Sequence, residues 1–89
     1  MSEHILEIVN EKGLHARASA KFVEVVEEYD ATATVSKDGM DVSGDSIMGL
    51  LMLAASRGTH ITVATNGAQA SELADALIAL VADKFGEEM

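Results

Sequence analysis

The apolar residues of this chain change their spacing again and again, from every second position to every third or fourth and back, and that switching dictates a mixed α and β fold. In "EHILEIV" apolar and polar residues partly alternate and β-branched side chains are frequent, which predicts a strand over 3–9. Gly13 then permits a turn. From Ala16 to about Tyr29, apolar residues at 16, 20, 23, 26 and 29 keep a helical spacing with Lys21, Glu24, Glu27 and Glu28 between them. "ATATVS" at 31–36 and "GMDVS" at 39–43 alternate once more around Lys37, Asp38 and Gly39, the signature of a hairpin.

Ser46 is a favoured helix-capping residue and precedes the apolar run "IMGLLMLAA", so a short helix is expected over 47–55, ended by Gly58. "HITVAT" at 60–65 reads as a fourth strand. Leu73, Leu77, Leu80 and Val81, with Ala70 and Lys84 in phase, make a last helix of about four turns. The order is βαββαβα. No internal repeat or linker composition divides it, so residues 1–89 form one domain. Four strands with three helices on one face make a two-layer α+β fold.

Composition narrows the function. A formal charge of −9 disfavours nucleic acid and anionic membrane as partners, since both are bound through basic surface. There is no cysteine, hence no disulfide framework, thiolate nucleophile or zinc cluster. The apolar run 47–55 is too short to span a bilayer and "MSEHILEIVN" lacks the form of a secretion signal, so a cytoplasmic protein without membrane insertion is expected. With 48% apolar residues but only two Phe, one Tyr and no Trp, the core must be aliphatic.

Against that acidic background, "GLHARASAKF" concentrates three of the six basic residues, Lys12, Arg17 and Lys21, in or beside one segment around His15. If the helix starts near Ala16, His15 stands where main-chain N–H groups lack helical partners and the helix dipole is positive. That end favours the neutral, nucleophilic imidazole and attracts anions, phosphate among them. Arg17 adds paired donors for phosphate oxygens. Such a set suits reversible phosphoryl transfer, in which positioning and charge stabilisation do most of the catalysis. The alternative at this level is a capping histidine beside a solvated basic patch.

The segment "NEKGLHARASAKFV" resembles the active-site segment of HPr, the histidine-containing phosphocarrier family of the bacterial phosphotransferase system, and the likeness continues through "DSIMGLLMLAASRGTHITVATNG". The resemblance implies an open-faced β-sandwich with four antiparallel strands under three helices. It implies that His15 accepts a phosphoryl group from enzyme I, drawn from phosphoenolpyruvate, and passes it to an enzyme IIA with the help of Arg17. It also implies that Ser46 is a regulatory phosphorylation site for an HPr kinase. Two positions depart from the family pattern: Ala18 where proline is usual, and Asp45 where many members have lysine.

Between Ile47 and Ala55 there is no polar residue, although a helix covering one side of a core needs only one apolar face. If Leu50 and Leu53 point inward, Ile47, Met48, Leu51 and Met52 are left outward as a docking surface, and methionines suit one that meets several partners. Ala16 and Ala20 complete that face by resemblance. Glu24, Glu27, Asp45 and Gly49 stand there where many sugar-transport members have lysines, which leans towards the nitrogen-type branch. No cofactor and no metal are expected, His4 and His60 being strand residues without ligand-like spacing, and a monomer is expected. Glu87 and Glu88 read as a solvated tail. The rival function is a non-catalytic adaptor acting through Ser46 and the apolar helix 47–55.

Overall fold

The computed structural model describes residues 2–89. Its elements run β1 (Ser2–Glu7), α1 (Ala16–Glu27), β2 (Thr32–Lys37), β3 (Met40–Ser43), α2 (Ile47–Met52), β4 (His60–Asn66) and α3 (Ala70–Ala82), followed by a single tight turn, Lys84–Gly86. The strands form one antiparallel sheet in the order β1-β4-β2-β3. This is the expected α+β open-faced sandwich.

The register explains why the sheet has one covered and one open face. Leu6 stands opposite Ile61, and Val35 opposite both Val63 and Val42, so these side chains share the face that meets the helices. The intervening Glu3, Ile5 and Glu7 of β1 are exposed on the other face. Into the covered face pack Phe22 and Val26 from α1, Leu50 from α2 and Leu73, Leu77 and Val81 from α3. With few aromatic side chains, the core closes mainly through branched aliphatics, each contributing roughly 1.5–3 kcal/mol by leaving water.

Several boundaries and faces differ from expectation. α1 buries Ala18, Ser19, Phe22, Val23 and Val26, so its buried stripe is rotated from the spacing that includes Ala16 and Ala20. Helix α2 stops at Met52, three residues short, because Leu53 caps it and Ala54 enters the left-handed region at φ 51°. Gly49 lies inside that helix, where a Cβ would stand 3.0 Å from Val42, so it permits close approach of α2 to β3. Lys84 does not continue α3: it and Phe85 adopt φ 55° and 56°, and the chain reverses there.

Candidate functional site at the start of α1

The loop between β1 and α1 is built to present His15. Asn10 is fully buried and its Nδ2 donates to the Gly13 carbonyl at 2.8 Å, drawing the loop into a turn. Gly13 sits at φ 66°, and a Cβ there would lie 2.4 Å from the Ala55 carbonyl oxygen. Only glycine fits, because both the left-handed backbone and the close approach exclude a side chain. The next amide, Leu14 N–H, donates to that same Ala55 oxygen at 2.8 Å, tying this loop to the end of α2.

His15 is the N-cap of α1, with φ −76° and ψ −178°. Its carbonyl accepts from Ser19 N–H at 2.8 Å, and its Nδ1 accepts from Arg17 N–H at 3.3 Å. The other ring nitrogen, Nε2, contacts the Glu87 carboxylate. One neutral tautomer satisfies both contacts: a proton on Nε2 facing the carboxylate, and a lone pair on Nδ1 directed at the helix start. The ring is only 25% exposed, open on one side to a shallow depression lined by Lys12, Leu14, Ala54, Ala55 and Ser56.

Glu87 was expected in a solvated tail, and the structure corrects this. Phe85 is fully buried, and the left-handed backbone at Lys84 and Phe85 bends the chain back across α1. Lys21 Nζ donates to the Phe85 carbonyl at 2.7 Å, and Glu11 N–H donates to the Met89 main-chain oxygen at 2.7 Å. Thus held, Glu87 reaches both His15 and Asn10, whose Nδ2 donates to Glu87 Oε1 at 2.9 Å. Burial acts to raise its carboxyl pKa, but the hydrogen bonds from Asn10 and His15 and the charge of Lys12 hold it below the ordinary value. Glu88 remains exposed, as expected. Asn10 and Glu87 are separated by 77 positions, so spacing along the chain gave no sign of the pair; the aromatic Phe85 beyond the last helix was the one local hint.

Arg17 is exposed, and its guanidinium makes no hydrogen bond or ion pair with a described residue. It lines a cavity of about 230 Å³ with Lys12, Lys21 and Glu87, next to the depression beside His15 and sharing Lys12 with it. Ala18 is fully buried.

Ser46 caps α2: its Oγ accepts from Gly49 N–H at 3.0 Å. Leu50 and Leu53 face inward as expected, while Met48 and Met52 are 70% and 64% exposed, Ile47 is exposed and Leu51 is half-buried. Ala16 is exposed and Ala20 half-buried on α1, the helix against which α2 packs. Glu24, Glu27 and Asp45 are exposed. His60 stands 4.0 Å from Glu7 across the β1–β4 pair, an exposed contact worth little, and among the described residues no group of His, Cys, Asp and Glu is placed to hold a metal ion. No helix of the structure is long and apolar enough to cross a membrane.

The family model for the "PTS HPr component phosphorylation site" matches residues 2–83. The chain belongs to the HPr family. It is a phosphocarrier of the phosphotransferase system by that membership. It is 45% identical over 80 residues to the phosphocarrier protein HPr of Cupriavidus necator, covering 90% of each chain. Against that of Neisseria meningitidis serogroup A it is 45% identical over 87 residues, covering 98% of each. The crystal structure of an HPr from Thermoanaerobacter tengcongensis superposes with a TM-score of 0.95 at 38% identity, over the whole of both chains.

Proposed function

We propose that His15 is the residue that carries the phosphoryl group, taking it on Nδ1 from phospho-enzyme I and delivering it to an enzyme IIA. The observation that carries this reading is the tautomer that both ring contacts demand. Nδ1 keeps its lone pair at the amide-rich start of α1, where an incoming phosphoryl oxygen can replace the imidazole as acceptor of the Arg17 N–H. Arg17, unpaired and next to that site, supplies a guanidinium to the charge spread over the transferring oxygens. Transfer needs no buried pocket for a substrate, since donor and acceptor are proteins that meet the exposed surface.

Ile47, Met48, Leu51 and Met52 of α2, with Ala16 and Ala20 of α1, form the docking face for both partners. Ser46 lies at its edge, and its phosphorylation by an HPr kinase would add about 1.5–2 negative charges there, weakening docking without refolding the domain. The exposed Glu24, Glu27 and Asp45 beside this face favour the regulatory, nitrogen-type branch, in which the protein acts as a cytoplasmic monomer.

Incubation with phosphoenolpyruvate and cognate enzyme I, read by intact mass before and after an acid wash, tests the assignment. The expected product is one acid-labile phosphoryl group, absent in His15→Ala. An acid-stable adduct, or none with either sugar-type or nitrogen-type enzyme I, would leave the adaptor reading. Comparing Ser46→Asp with wild type in the same assay tests the switch, and equal rates would count against it.

A further inference from the structure

We infer that Glu87, fixed by Asn10, is a positioning residue for the phosphoryl relay, holding the ring proton on Nε2 so that Nδ1 stays open. The inference rests on the reading of His15 as the phosphoryl carrier and names a residue outside the sequence motif. Three independent features converge on it. Glu87 Oε2 contacts Nε2 directly, and its other oxygen, Oε1, accepts from a fully buried asparagine. Asn10 Nδ2 meanwhile holds the Gly13 carbonyl, so one buried amide fixes both the loop that presents His15 and the carboxylate that orients it. The segment that delivers Glu87 is anchored by the buried Phe85, by Lys21 Nζ and by the Glu11 amide. A contact bridging 72 positions of sequence and built from so many supports is part of the site's construction.

The chemistry that follows balances without moving a proton. The Nδ1 lone pair forms the N–P bond while the bond from phosphorus to the donor breaks, its electron pair leaving with the donor. The ring keeps its proton on Nε2 and becomes a phosphorylated imidazolium, whose positive charge faces the Glu87 carboxylate. On delivery, the N–P electron pair returns to Nδ1 and the neutral tautomer is restored. At metal sites a carboxylate that orients a histidine in this way fixes its tautomer and raises its basicity, and its loss costs about 10- to 100-fold in affinity or activity, the scale expected here.

Glu87→Gln is the discriminating variant. Its amide oxygen can still accept from Asn10, which keeps the tail in place, but its NH₂ would face the Nε2 proton, donor against donor. Nitrogen-15 spectra of the ring in the unphosphorylated protein give a readout that a merely structural role would not move. Wild type should show the proton on Nε2, slowed in exchange with solvent. Glu87→Gln should lose that slow proton and be phosphorylated about 10- to 100-fold more slowly, while Glu88→Gln keeps both. A wild-type proton on Nδ1, or a Glu87→Gln protein with an unchanged ring signature, would overturn the inference. Normal transfer by Glu87→Gln despite an altered ring would overturn it and leave the phosphocarrier reading standing. No transfer to wild type would overturn both.

Discussion

Two helices of this protein start on a side chain that accepts a main-chain amide, and the two starts are otherwise built in opposite ways. Ser46 caps α2 with a hydroxyl at 3.0 Å, three residues from its donor, and everything that shapes the cap lies within a few positions. His15 caps α1 with a ring nitrogen at 3.3 Å, a longer contact, and the ring is held from the far side by Glu87. The serine cap is closed within the first turn of its own helix. A histidine whose cap contact is long and whose other nitrogen is clamped can exchange the amide for a phosphoryl oxygen. One backbone situation thus gives a locally closed cap at one helix and a cap governed by a distant carboxylate at the other.

The first way to break this comparison is to remove the distant support. Phe85→Ala should cost about 3–5 kcal/mol and free the tail, so that the ring signature of His15 changes while the Gly49 amide at the Ser46 cap does not. Chemical denaturation together with nitrogen-15 spectra would check both halves; equal disturbance at the two caps would show that the His15 site has no special dependence on the tail. Gly13→Ala attacks the same site from the loop side. A Cβ 2.4 Å from the Ala55 oxygen at φ 66° must displace the backbone, with an expected loss of about 2–3 kcal/mol. A variant as stable as wild type would mean that the loop tolerates a different path to His15.

How much of this was readable from the chain follows the same division. The strands, the helices and the Ser46 cap are local, and period and capping residues placed each within a few positions. The rotated stripe of α1 was misplaced because Ala16 and Ala20 carry too little apolar surface to decide a face, whereas Phe22 does. The end of α2 at Met52 was missed because Ala54 offers no warning of a left-handed backbone. His15 and Arg17 were visible as basic residues gathered in an acidic chain. Asn10 and Glu87 were invisible, because an asparagine before a turn and a glutamate in an acidic tail acquire meaning only when the sheet order and the reversal at Phe85 bring them together.

Single contacts at the two caps carry smaller effects. Ser46→Ala should lower stability by about 1 kcal/mol and leave phosphoryl acceptance by His15 intact, measured by thermal unfolding and by the mass assay. Ala54→Gly should raise stability by about 1 kcal/mol, since it relieves an alanine at φ 51° beside the His15 depression. No gain would mean that the strain is relieved by other contacts. The mildest perturbation is pH. Burial opposes ionisation of Glu87, but Asn10, His15 and Lys12 outweigh it, so the folded carboxyl titrates below its ordinary value of 4.5. Its contribution is therefore fully present above about that pH and fades as pH falls below it. Glu87→Gln should flatten that part of the stability profile, and an unchanged acid limb would assign it to other carboxylates.

The most direct test is to phosphorylate the protein, with its imidazole nitrogens labelled, and find which nitrogen bears phosphorus. Coupling of phosphorus to His15 Nδ1, with the ring proton still on Nε2, is the expected result. Phosphorus on Nε2, where Glu87 now sits, or on no histidine at all, would contradict the account.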